Sequence, residues 1–167
     1  MRMPVHSFAA VLAIAFALGV VSGMRSFLAI AVVSVTLWRR PEVPPPIGPA
    51  IWLAIPLVAV VLALCALAEL VADKFPRIGA RIAPGPLVAR MITGALSGAA
   101  VAQVAHVDGW KGGLVGAAGA IVGAFGFYHL RQRVDRVTGI RDPYTGAAED
   151  VIALAIAATA MAALLGM

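Results

Sequence analysis

The chain has 167 residues, 62% of them hydrophobic and only 13% charged, with a formal net charge of +5. A soluble domain carries about 25% charged residues, so this composition excludes an ordinary water-soluble domain. The basic residues flank apolar runs, which points them to lipid headgroups and topology rather than to nucleic acid. Cys65 is the single cysteine, which excludes an intrachain disulfide and a cysteine-based zinc site.

A spanning helix needs about 20 largely apolar residues. Five stretches qualify, which predicts an all-α, polytopic transmembrane bundle forming one domain over residues 1–167. The first runs from Phe8 to Trp38 and suits either a tilted helix or two shorter arms. The second runs from about Pro49 to Phe75, where Pro76 stops it. The third runs from about Pro86 to Val107, with Gly109 as its expected C-terminal cap. The fourth covers Gly112 to about Arg133 and the fifth about Pro143 to Leu165. Proline is tolerated at a first helical position because its missing N–H would be unpaired there anyway. Pro49, Pro86 and Pro143 suit that role, and Asp142 suits the N-cap of the last helix. The link from Arg39 to Gly48 carries Pro41, Pro44, Pro45 and Pro46 and is expected to be stiff and extended.

Lys74, Arg77, Arg81 and Arg90 flank the second link, and Arg131, Arg133, Arg136 and Arg141 flank the fourth. The positive-inside tendency makes that side cytoplasmic. Trp38, Trp52 and Trp110 then share the opposite interface, where indole rings prefer to sit. With five spans the N-terminus is inside and the C-terminus outside. Two other readings of the N-terminus stay open. Arg2 followed by Phe8 to Val21 has the pattern of a signal peptide. Alternatively, Gly23 and its neighbours form the tip of a re-entrant hairpin, which would put the N-terminus outside and Arg25 toward the cytoplasmic face.

Ionisable residues inside the apolar runs are the candidate chemistry, because each costs at least about 2.5–3.5 kcal/mol at a bilayer centre and is usually paired, wetted or functional. Arg25 lies within the first run. Glu69 and Asp73, four apart, share a face of the second helix, in its last turns, where the macrodipole disfavours negative charge. Glu149 lies about 10 Å along the last helix at 1.5 Å per residue, at a depth matching Glu69. Asp150 points about 100° away from it. Arg25, His129 and Arg131 are the counter-charges. The structural alternative is a set of buried ion pairs that fix helix register. His106, with Asp108 nearby, reads as a boundary histidine. Gly112, Gly116, Gly119, Gly123 and Gly126 form one stripe on the fourth helix, suited to close helix packing. Gly94 and Gly98, and Gly19 and Gly23, repeat its four-residue spacing. No phosphate-binding loop, zinc-protease motif or nucleophile elbow is present.

Four segments occur in order: Gly23-Met24-Arg25-Ser26-Phe27, Ala68-Glu69-Leu70-Val71-Ala72-Asp73-Lys74-Phe75-Pro76, Gly126-Phe127-Tyr128-His129-Leu130-Arg131 and Ala148-Glu149-Asp150-Val151. Together they resemble the small bacterial integral membrane proteins of domain-of-unknown-function family four-one-two-six, over about Gly19 to Ile156. Relatives carry a proline shortly after the arginine motif, where this chain has Ala29 and Ile30. The resemblance implies a shared membrane architecture and groups Arg25, Glu69, Asp73, His129, Arg131, Glu149 and Asp150. It supplies no activity. The resulting expectation is a small transport or permeation protein of the bacterial inner membrane, whose polar site suits a proton, a cation or an anionic lipid headgroup. The alternative is a non-transporting structural or assembly subunit. Membrane lipids and further copies of the chain are the expected partners, with no cofactor, metal, nucleic acid or enzymatic activity.

Overall fold

A computed structural model describes residues 7–72, 84–138 and 142–166. They form six α-helices and one 3-10 segment, with no strand among the described residues. The helices are α1 (Phe8–Met24), α2 (Leu28–Arg39), α3 (Pro56–Ala72), α4 (Pro84–Val104), α5 (Gly109–Thr138) and α6 (Asp142–Leu165), and the 3-10 segment is Gly48–Ala54. Residues 84–104, 109–134 and 146–165 are long and apolar enough to cross a membrane. The protein is an all-α bundle of apolar helices compatible with a multi-pass membrane protein. Residues 73–83 and 139–141, and with them Asp73, Lys74, Arg77, Arg81 and Arg141, lie outside the described residues.

The first apolar run is two helices, not one. Ser7 caps α1 by accepting the Ala10 N–H at 3.2 Å. The helix closes where Arg25 turns extended (φ −139°, ψ 115°). α2 then runs back. Lys111, at the start of α5, sits over the Phe8 ring at 5.6 Å, so α1 and α5 begin at the same end of the bundle. The chain leaving α2 reaches that end too, because the Ile47 N–H donates to Gln103 Oε1 near the end of α4 at 2.9 Å. α1 and α2 are therefore a hairpin whose tip lies at residues 25–27. This corrects the five-span arrangement with an inside N-terminus: α1 begins beside Trp110, not opposite it.

The second run is also divided. The 3-10 segment meets α3 at an 82° bend. Ile55 is extended (φ −81°, ψ 128°) because Pro56 follows it, and a residue before proline is pushed out of the helical region. Trp38, Trp52 and Trp110 are exposed at the end where α2 stops, the 3-10 segment lies and α5 starts. We call this the tryptophan end and the opposite one the charged end.

α4 stops earlier than glycine placement suggests. His106 N donates to the Gln103 carbonyl at 3.0 Å and Val107 N to the Ala102 carbonyl at 2.8 Å. This is the Schellman pattern, with His106 in the left-handed position at φ 58°. Gly109 opens α5 instead of capping α4. A left-handed L-residue costs roughly 1–2 kcal/mol, partly offset in glycine by its own chain entropy. His106→Gly is therefore expected to stabilise the bundle by up to about 1 kcal/mol, read as a raised melting temperature in detergent. An unchanged or lower value would mean that the imidazole makes a compensating contact.

α5 is the centre of the packing. It runs parallel to α1 and antiparallel to α4. A methyl built on Gly112 or Gly116 would overlap the Gly98 or Gly94 carbonyl oxygen, and one on Gly119 or Gly123 would overlap the Phe16 or Val20 carbonyl oxygen. The backbones thus touch on both sides of α5, as small residues allow in lipid, where no hydrophobic force drives helices together. Gly126 is different: a methyl there would meet nothing within 4 Å. The stripe's contact ends at Gly123 because α1 ends at Met24.

The hairpin has a topological consequence. In a Cys65→Ala background, Ser7→Cys should label from the same side as Lys111→Cys, and Arg136→Cys from the other. Labelling of Ser7→Cys together with Arg136→Cys would restore a single first span.

Candidate functional site

The hairpin tip leaves backbone groups that no helix ladder satisfies, since the first N–H groups and last carbonyls of any helix lack internal partners. Charged side chains from other helices take them up. Glu69, near the end of α3, accepts the Ser26 N–H on Oε1 at 2.8 Å and the Phe27 N–H on Oε2 at 2.9 Å. Arg90 of α4, only 5% exposed, donates from Nη1 to the Gly23 carbonyl at 3.2 Å and from Nε to Ser26 Oγ at 3.3 Å. An anion thus faces the N-terminus of α2 and a cation the C-terminus of α1, the signs that the two macrodipoles favour. This resolves the position of Glu69: at the unfavourable end of its own helix, it serves the favourable end of another.

Arg25 itself, 2% exposed, is bonded to α6. Its Nε donates to Asp150 Oδ1 at 2.6 Å, and its Nη2 lies 2.5 Å from the same oxygen. Arg131 of α5 lies 3.7 Å from Glu149 Oε2. The neighbouring acids of α6 therefore serve two different arginines, as a step of about 100° between consecutive helical residues requires. Glu149 is buried at 8% exposure. Arg90, Arg131 and Glu149 each lie about 9–10.5 Å in from the charged-end termini of their helices at 1.5 Å per residue, so these three share one level.

Of the residues singled out from sequence, Arg25 and Asp150 meet directly, Arg131 and Glu149 meet, and Glu69 holds the hairpin tip. His129 is exposed, stands edge-on to Tyr128 with ring centroids 5.4 Å apart, and does not enter the cluster. Asp73 lies outside the described residues. Of the expected counter-charges, Arg131 stands beside Glu149, whereas Arg25 is bonded to Asp150 and Glu69 accepts from backbone N–H groups. Arg90 was missed as a site residue. It stands close to the start of its apolar run, so it was counted among the flanking charges, although a charge within an apolar segment was the signal that identified Arg25. No group of three or more metal-ligating side chains is found among the described residues.

The family model of the domain of unknown function DUF4126 matches residues 12–165. The chain belongs to that family. Comparison with curated proteins and with solved structures finds no match. Membership therefore carries the membrane-like helical architecture and no activity. The helix break at Arg25 needs no proline at Ala29 or Ile30, because Glu69 and Arg90 supply the caps that hold it.

Proposed function

We propose that this DUF4126 protein is a small permeation protein of the bacterial inner membrane that passes a proton or small cation at the hairpin tip. The reading rests on one observation: non-helical backbone at helix-interior depth is held by ionisable side chains from separate helices. Irregular backbone within a membrane is tolerated only inside protein or beside a water-filled cavity. Secondary transporters build their sites from interrupted helices whose ends converge in this way. Protonating Glu69 would weaken two charge-assisted bonds to the tip, which couples its charge state to the hairpin's position. The acids and arginines bind and hold charge in this scheme, and no bond-making step is assigned.

The close Arg25–Asp150 bond favours a second reading, a structural or assembly subunit in which the charges only lock helices. Proteoliposome uptake with an internal pH dye separates the two. The expected result is proton or monovalent-cation flux by the wild type. Glu149→Gln should lose that flux while keeping its melting temperature, because the amide imitates the protonated acid. Absence of flux from well-folded wild-type protein, for protons and for monovalent cations, would overturn the permeation reading. Unfolding of Glu149→Gln would favour the structural one.

A further inference from the structure

α5 outruns the helix it packs on. The backbone at Gly23 of α1 touches α5 beside Ala120 and Ala124, and α5 continues to Thr138, about 21 Å further at 1.5 Å per residue. One exposed face of α5 is apolar along its first part and basic thereafter. Leu114, Val122 and Phe125, then His129, Arg133 and Arg136, fall within an arc of about 100° at 100° per residue, and all six are exposed. The apolar three cover about 16.5 Å of helix, close to half of a hydrocarbon core about 30 Å thick. The basic three follow over about 10.5 Å, across the end of the apolar window at Val134. Between the two parts, a side chain at Gly126 would meet nothing within 4 Å, which leaves the join open.

No acid shares this face. Asp135 and Arg131 fall outside the arc, and Arg131 turns to Glu149. Arg133 makes no hydrogen bond or ion pair with any described residue. Arg136 donates to neutral groups of its own helix, from Nε to the Gln132 carbonyl at 3.2 Å and from Nη2 to Gln132 Oε1 at 3.5 Å, so its charge stays uncompensated. Arg133 and Arg136, three apart, stand on one side of the helix, and guanidinium forks match the oxygens of a phosphate. A second copy offering the same face would set arginine against arginine. A water-soluble acidic partner would not reach Leu114, Val122 and Phe125 inside a bilayer. A zwitterionic lipid brings its own ammonium beside its phosphate. We infer that this face of α5 binds an anionic phospholipid, its phosphate held by Arg133 and Arg136, its glycerol beside His129 and the gap at Gly126, and one acyl chain along Phe125, Val122 and Leu114. The inference does not depend on permeation, because this face lies outside the hairpin-tip cluster.

The purified full chain can be titrated in detergent with phosphatidylglycerol or phosphatidylcholine of identical chains, with bound lipid counted by native mass spectrometry. The expected result is one phosphatidylglycerol held at least about tenfold more tightly than phosphatidylcholine, since each arginine beside an anionic headgroup is worth roughly fivefold. Arg133→Gln with Arg136→Gln should bring the two lipids to within about twofold of each other. Either single variant serves if the double one fails to fold, with an expected loss of roughly fivefold. Arg39→Gln with Arg40→Gln removes the same charge at the tryptophan end and should keep the preference. Equal binding of the two lipids by the wild type would overturn the inference, as would a preference that survives loss of both Arg133 and Arg136. An equal fall in the Arg39 and Arg40 variant would mean diffuse attraction by the whole protein and overturn the site. Glycerol phosphate competing as well as the phospholipid would overturn the acyl-chain contact, and a fatty acid of the same length doing so would overturn the choice of a phosphate.

Discussion

Gly116→Leu is expected to prevent α1, α4 and α5 from assembling in their native arrangement. A methyl at this position would overlap the Gly94 carbonyl oxygen, and one on Gly19 would overlap the Gly116 carbonyl oxygen. The glycine therefore sits between two backbones, not between a backbone and a side chain. Overpacking that side chains can absorb costs roughly 1–3 kcal/mol. Here the obstacles are main-chain atoms of helices fixed along their length, so the loss should be at or above about 3 kcal/mol. Gly119→Leu and Gly123→Leu should also destabilise, through the α1 side alone, where Phe16 and Val20 present their carbonyl oxygens. Gly126→Leu is the internal control. It has open space around it and should stay within about 0.5 kcal/mol of wild type, as surface changes do. Thermal melts of the four variants in one detergent provide the measurement. Native melting of Gly116→Leu would mean that α5 can move away from α4 and α1 without loss, contrary to the contacts described.

The apolar runs carried most of the fold, because bilayer-length hydrophobicity is a local property of the chain. The glycine stripe was legible for the same reason: its spacing puts Gly112 to Gly126 on one face. Spacing does not state where a partner ends, so Gly126 joined the stripe on periodicity although nothing stands opposite it. The breaks were less legible. At Ile55 a local cause, Pro56, was present in the sequence and had been placed inside the second helix. At Arg25 the only local signal is the weak one of Gly23 and its neighbouring serines. The turn is held by Glu69, 43 residues away from Ser26, and by Arg90, 67 residues from Gly23. Such caps are tertiary facts, which is why the hairpin stood only as an alternative to a continuous helix. His106 failed for a related reason. Glycine is the residue that best tolerates a left-handed cap, but the hydrogen bonds of Gln103 and Ala102 to the chain beyond α4 place that conformation three residues before Gly109.

Arg25→Gln should separate a dry charge lock from a hydrated site. The guanidinium is 2% exposed, and its bond to Asp150 Oδ1 ties the hairpin tip to α6. If the surroundings are dry, removing the cation leaves an uncompensated carboxylate, and the expected loss is about 3–5 kcal/mol. Asp150→Asn should then cost a comparable amount, because Arg25 is the more deeply buried partner. The double variant should recover part of the loss, with a coupling of roughly 0.5–3 kcal/mol as for contacting residues elsewhere. If water reaches the pair, each single variant should lose only about 0–1 kcal/mol, as exposed ion pairs do, and the coupling should fade as salt is raised. The cycle is read from melts of the three variants at low and high ionic strength. Large, salt-insensitive coupling would mean that the tip is fixed to α6, leaving Glu69 as the group through which a proton could act on it. Small, salt-sensitive coupling would mean that water already stands beside Arg25, and the path for a permeating ion would then run past Asp150 itself.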